Sequence, residues 1–216
     1  WFGYNKHGER VFHTNMELDS IVFTFDSANP DALAQGNLLQ VTRFPGSRGG
    51  DQTSIVTSNH YETNFNFVDV STDARGYATV HRYDVLGNRT NIIHRLPSIQ
   101  EDFTYNAYGQ VTSHTLPDNG SGYRRRDVTV YYTNGTQNGY VSQQITDSQT
   151  LALTTTYQHD AVGNTVRVVD PRGFDSTNIF NQLNQLVRHV SAETAPGSGI
   201  RYKTDTIYDA NNNVVR

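Results

Sequence analysis

One five-residue pattern limits what this chain can become: an aromatic residue or His, then Asp or Asn, two free residues, and Gly. It occurs four times in 216 residues, at Tyr4-Asn5-Gly8, Tyr83-Asp84-Gly87, Tyr105-Asn106-Gly109 and His159-Asp160-Gly163. The chain's composition alone would give it on the order of 0.4 times, so it is an internal repeat. With Asn allowed in the Gly position, Phe180-Asn181-Asn184 and Tyr208-Asp209-Asn212 join it. Phe25-Asp26-Asn29 and Phe174-Asp175-Asn178 are less regular additions.

The permitted exchanges state the physics. Gly gives way to Asn, the next residue most willing to hold a positive φ, so the slot is a left-handed backbone position. On that basis Asn184→Gly should be close to neutral. Asp and Asn alternate at the second slot because each carries an oxygen that can accept from the backbone two residues on. The unit is therefore a type I turn closed by a glycine bulge between antiparallel strands, with the aromatic ending the first strand. Asp73 to Gly76 and Asp170 to Gly173 are the same turn without the aromatic, and Pro171 supplies the fixed φ that such a turn accepts.

Turns start eleven residues apart at Asp73 and Asp84, twenty-two apart at Asp84 and Asn106, and ten and eleven apart at Asp160, Asp170 and Asn181, so one turn plus one strand fills each interval of about eleven. The intervening stretches alternate polar and β-favouring residues, as in Val111-Thr112-Ser113-His114-Thr115 and Thr165-Val166-Arg167-Val168-Val169. The fold class that follows is all-β: an antiparallel ribbon of β-hairpins forming a curved sheet or a segment of a hollow shell. The nearest helix candidate, 30–35, is one turn at most. Hydrophobic content of 35% and mean hydropathy of -0.62 are low for a compact core, which a sheet with wet faces tolerates.

The runs YQHDAVGNTVRVVDPRGFDSTNIFNQLNQLVRHV, YDVLGNRTN and GNLLQVTRF resemble the YD-repeat, or Rhs-repeat, proteins. These include bacterial Rhs and wall-associated polymorphic toxins, the shell components of insecticidal Tc toxins, and the teneurins. The likeness is clearest over 69–109 and 157–216, and the whole of 1–216 reads as a single repeat region cut from a larger chain. It implies a secreted or cell-surface protein whose ribbon encloses or presents a toxin domain. Its partners would be neighbouring repeats or other subunits. Asp170-Pro171-Arg172-Gly173 is similar to the start of the family's self-cleaving core, but Phe174-Asp175-Ser176 does not continue it, so no autoprotease is expected.

Signals for chemistry are sparse. Nucleophile-elbow, zincin, phosphate-loop and calcium-loop spacings are missing, and the eight histidines are scattered without ligand spacing. No catalytic residue, cofactor or metal is expected. A net charge of -4 with mixed signs argues against a nucleic-acid surface, and no apolar run is long enough to span a membrane. There are no cysteines to form disulfides. The one basic cluster, Tyr123-Arg124-Arg125-Arg126, reads as a solvated strand edge or a contact for an acidic partner. Tyr123, Tyr131, Tyr132 and Tyr140 form a candidate contact surface for glycans or neighbouring subunits, against cross-strand packing as the plainer account. The leading function is a structural shell segment without catalysis. An extracellular adhesion, carbohydrate-binding or filament-forming module is the alternative, and a polysaccharide-active enzyme on a β-scaffold is third. An enzyme would require carboxylates converging in a cleft.

Overall fold

A computed structural model describes residues 1–216 except 17, 47–52, 97 and 216. The chain divides into two compact units, Trp1–Phe103 and Thr104–Arg216. The first contains β1 (Phe2–Tyr4), β2 (Arg10–Thr14), β3 (Ser20–Phe25), β4 (Leu38–Phe44), β5 (Ile55–Tyr61), β6 (Val68–Thr72), β7 (Ala78–Tyr83) and β8 (Arg89–Ile93). The unit boundary falls inside β9 (Gln100–Tyr105). The second unit continues with β10 (Val111–Thr115), β11 (Arg126–Tyr131), β12 (Val141–Thr146), β13 (Leu153–His159), β14 (Thr165–Val169), β15 (Asp175–Phe180), β16 (Leu186–Val190) and β17 (Lys203–Asp205). The fold is all-β, and within each unit every strand pairs antiparallel with the next in sequence, as a ribbon of hairpins does. Among the described residues the only helical element is a three-residue 3₁₀ turn, Gly135–Gln137.

Rows of cross-strand neighbours hold the ribbon together. Val70 faces Val80, which faces Ile93. Phe12 faces Val22, then Thr42 and Val56. Such pairs are worth roughly 0.2–1 kcal/mol each, so stability accumulates along the ribbon and not in a central core. Among the described residues Ile92 is the one buried apolar side chain, at 9% exposure, and no side chain is fully enclosed.

Residues 31–35 form a single open turn, with Gln35 N–H donating to Asp31 O at 3.2 Å. Phe25-Asp26-Asn29 forms a turn, with Asn29 N–H donating to Asp26 O at 3.3 Å, but Asn29 does not take a positive φ and the loop runs on until Asp26 N–H meets Asn37 O at 2.9 Å. Phe174-Asp175-Asn178 is not a turn: Asp175 and Asn178 lie within β15. The turn at Asp170 has just reversed the chain, and Asp175 is already paired with Val169, so this stretch must run as a strand.

Candidate functional site

The repeated turns are the best-defined local geometry in the molecule. Gly8, Gly76, Gly87, Gly109, Gly163 and Gly173 have φ between +78° and +98°, and Asn184 and Asn212 have φ of 59° and 66°. At Asp84 the N–H of Gly87 donates to Asp84 O at 3.1 Å, and the N–H of Asp84 donates to Asn88 O at 2.9 Å. Asp84 Oδ1 accepts from the N–H groups of Leu86 and Asn88, at 2.8 and 2.9 Å. Asn5, Asp73, Asn106, Asp160, Asp170, Asn181 and Asp209 accept through the same oxygen from the N–H groups two and four residues on.

A fifth position belongs to the unit, and the sequence reading missed it. In the copies that carry the aromatic or His, where the second slot is Asp the residue four later is Asn and donates back: Asn88 to Asp84 at 3.0 Å, Asn164 to Asp160 at 2.8 Å, Asn213 to Asp209 at 3.1 Å; the turns at Asp73 and Asp170 have Tyr77 and Phe174 there instead. Where the slot is Asn, the partner is an acceptor: Gln110 for Asn106 at 2.8 Å, Gln185 for Asn181 at 2.7 Å, and Glu9 for Asn5. The donor and acceptor exchange together, and this covariation between copies was visible in the sequence. In Asp84 and Asp160 the facing Asn side chain, together with turn N–H groups, holds the carboxyl below its ordinary pKa despite some burial.

The aromatic position also has a defined task. A register shift falls at Tyr4, Phe25, Tyr61, Tyr83, Tyr131, His159 and Phe180, so the aromatic repeatedly sits at a β-bulge. A bulge re-aims the side chain. Tyr83 donates its hydroxyl to Val68 O at 2.8 Å, Tyr131 to Val111 O at 2.9 Å, Tyr61 to Leu38 O at 3.2 Å, and Tyr208 to Leu186 O at 3.2 Å. In each case the acceptor is the first residue of the preceding strand. His159 does the same through Nε2, 2.8 Å from Val141 O, with Thr165 Oγ1 3.3 Å from its Nδ1. That is why His substitutes for Tyr in the repeat: both can donate to a carbonyl at the far end of a planar ring. Tyr61 and Tyr131 are copies hidden from the sequence pattern because longer loops follow them. At the first, Glu62 takes the place of Asp and accepts from the N–H groups of Asn64, Phe65 and Phe67.

Turns on the same edge of the second unit are tied side by side. Asn164 Nδ2 donates to Asn184 Oδ1 at 2.9 Å, Gln185 Nε2 to Asn212 Oδ1 at 3.0 Å, and Gln110 Nε2 to Gly139 O at 2.8 Å. Asn184 and Asn212 are thus more than stand-ins for Gly. Their amides link one turn to the next, so Asn184→Gly removes a bond as well as a side chain.

The four tyrosines proposed as a contact surface are half-buried and largely engaged. Tyr123 donates to the carboxylate of Asp147, Tyr132 donates to Tyr157 O at 2.7 Å, and the Tyr140 ring lies 5.3 Å from that of His159. In the basic cluster, Arg124 Nε donates to Leu116 O at 3.1 Å and Arg125 pairs with Asp127 at 3.0 Å.

Carboxylates do meet in clefts of the first unit: Asp26, Asp31 and Glu62 line one of about 290 Å³ with His60, and Glu62, Asp69 and Asp84 line another with His81. Glu62 is depressed: burial opposes ionisation, but the N–H groups of Phe67, Asn64 and Phe65 outweigh it. A general acid needs the opposite shift. Asp31 Oδ1 caps Leu33 N–H at 2.9 Å, and His60 Nδ1 lies 2.6 Å from Asp69. His94 is paired with Glu101 at 2.8 Å. His81 has its Nδ1 buried without a partner, and its pKa is lowered by burial and by Arg89 and His94. Among the described residues no three His, Cys, Asp or Glu side chains could hold a metal ion, and no helix is long and apolar enough to cross a membrane.

No protein-family model matches the chain, and no curated protein matches it. Among solved structures, the chain is similar to the TcdB2-TccC3-TEV crystal structure at 13% identity and a TM-score of 0.37, over 99% of this chain and 14% of that one. For TcdB2-TccC3 the values are 13% and 0.34, over 99% and 15%. For the Photorhabdus luminescens Tc holotoxin pore they are 13% and 0.33, over 98% and 15%. The chain therefore spans 14 to 15% of the length of the chains that it resembles.

Proposed function

We propose that this chain is a structural segment of a YD-repeat shell, secreted or at a cell surface, which encloses or presents a toxin domain and performs no catalysis. One observation supports this most directly: the residues that could do chemistry in the repeat are occupied in holding the ribbon. Asp84 and Asp160 use both carboxylate oxygens within their turns, and Tyr83 and His159 clamp the preceding strand. A repeat built this way extends a wall by adding copies, each carrying its own turn and its own clamp.

The wall leaves large apolar side chains facing solvent, including Val85, Leu86, Val162 and Leu183 at the turn tips, each at least 65% exposed. Further repeats or an enclosed chain would cover such residues. The 1–216 region acts here as one repeat region within a larger protein.

The test is an alanine scan of His81, His94, His159, Asp84, Asp160 and Asp170 in the full reading frame. Protease protection of the downstream domain is read beside thermal stability. Protection should fall only in step with stability. A variant that stays folded and keeps its melting temperature yet loses the biological activity would replace the shell with an enzyme or a binding module.

A further inference from the structure

We propose that the cleft between the Asn106 turn and the loop 133–139 binds a neutral saccharide. It encloses about 370 Å³ within the second unit, in the range of small-molecule sites. Tyr108, Tyr131 and Tyr132 line it together with Asn106, Gln110, Asn138 and Thr133.

Clefts of this kind recur where a strand-end tyrosine clamps the strand before it, so the cavity itself is a by-product of the repeat. A sister cleft at Tyr208 is lined by Asn181, Leu183, Gln185 and Asp209, which match Asn106, Tyr108, Gln110 and the region of Tyr132 by position. A third, at Tyr83, carries Glu62, Asp69, Arg82 and Asp84. Only the cleft at Asn106, of these three, has no charged residue in its lining, and it alone has three tyrosines. Its turn is also longer: residues 133–139 stand in place of the four-residue unit and raise a polar wall.

These departures from the repeat suit one chemistry. A neutral sugar presents an apolar C–H face and a rim of hydroxyls. Tyr108 is 85% exposed and offers a free ring face at the mouth. The rings of Tyr131 and Tyr132 are fixed by their hydroxyl bonds to Val111 O and Tyr157 O, so they form a rigid floor. Gln110 is held at both ends of its amide, by Asn106 and Gly139. Among the described residues the Asn138 side-chain amide and the Thr133 hydroxyl have no hydrogen-bond partner, and both residues are exposed on the wall to meet sugar hydroxyls. Without a charge in the lining there is nothing to offset the desolvation of an anionic or cationic ligand. The site stands independently of the shell reading, since a shell wall with or without a sugar site encloses equally well.

The experiment is a titration of the 216-residue chain, followed by amide ¹H–¹⁵N spectra. The probes are glucose, galactose and N-acetylglucosamine, with glucuronic acid as the charged comparison. At least one neutral sugar should give saturable shifts centred on Tyr108, Asn138 and Gly139, with a millimolar Kd. Tyr108→Ala should weaken it about tenfold, as expected for loss of one stacking ring. Leu183→Ala, in the sister cleft, should leave it unchanged. Both side chains are at least 70% exposed, and Tyr108→Leu, which copies the sister cleft, serves if Tyr108→Ala does not fold. Oligomers of the bound sugar then separate a terminal sugar, with no gain over the monomer, from a polysaccharide, with affinity rising along the chain. The proposal is overturned if none of the neutral sugars shifts these residues at about 100 mM, a concentration far above a millimolar Kd. It is equally overturned if glucuronic acid binds as well as they do, or if Tyr108→Ala and Tyr108→Leu bind like the parent.

Discussion

Exchanging Asn106 for Asp is the most informative single change that the turn geometry offers. Asn106 Nδ2 now donates to Gln110 Oε1 at 2.8 Å, while Gln110 Nε2 donates to Gly139 O at 2.8 Å. A carboxylate in its place would set two acceptors against each other. Turning the Gln110 amide over merely moves the conflict to Gly139 O. Either way one hydrogen bond is lost, at a net cost of about 0.5–1.5 kcal/mol, and a part-buried acceptor faces another acceptor, for a total of about 1–3 kcal/mol. In a chain of this length that is a fall in Tm of about 2–12 °C. Asp84→Asn is the control, because Asn88 makes its one side-chain bond to Asp84 and can turn over freely. That variant keeps every hydrogen bond and loses only the carboxylate's charge-assisted share, so it should melt closer to the parent than Asn106→Asp does.

The penalty has a sign in pH. The new carboxyl is stabilised when protonated, since its O–H can donate to Gln110 Oε1, so its folded pKa is raised above its unfolded one. The deficit is full above the folded pKa and shrinks as pH falls through it. Thermal melts of both variants and the parent between pH 7 and about pH 4 span that window. Equal losses in the two variants, or an Asn106→Asp deficit that does not change with pH, would refute donor–acceptor pairing as the reason for the covariation.

Gly8→Val and Gly163→Val differ in one respect: an added Cβ meets nothing within 4 Å at Gly8 but comes within 2.9 Å of the Tyr140 ring at Gly163. Urea unfolding should show about 1–2 kcal/mol lost at Gly8 for positive φ, and about 1–3 kcal/mol more at Gly163 for overpacking; equal losses would contradict this. His159→Phe and Tyr83→Phe should each lose about 1 kcal/mol because Val141 O and Val68 O lose their donors, whereas His159→Tyr should keep most of the stability. Melts in which His159→Tyr is the worst of the three would sink the shared clamp. Asp84, Asp160 and Asp209 are held below the ordinary carboxylate pKa, first by their facing Asn side chains and then by turn N–H groups. Their stabilisation is complete above the unfolded value of about 3.9 and is lost as pH falls through the depressed values. Carboxyl carbon NMR titrations should place all three below that value.

Part of this fold follows from a few consecutive residues alone. Asp-x-x-Gly is a turn wherever it is placed, because a carboxylate two residues from an N–H and a residue free to take positive φ need nothing from the rest of the chain. A reversal every ten or eleven residues then leaves only strands between. Tertiary structure decided everything that acts sideways. The clamp from Tyr83 to Val68 spans 15 residues, that from His159 to Val141 spans 18, and the tie from Asn164 to Asn184 spans 20. Each depends on the strand register and on a bulge that turns one ring toward the preceding strand, so neighbouring letters do not show it. The loops after Tyr61 and Tyr131 concealed two further copies, since a longer turn breaks the spacing while leaving the ring and its acceptor in place. The cleft beneath Tyr108 has the same origin: residues 106, 131 and 138 come together only once two hairpins lie side by side.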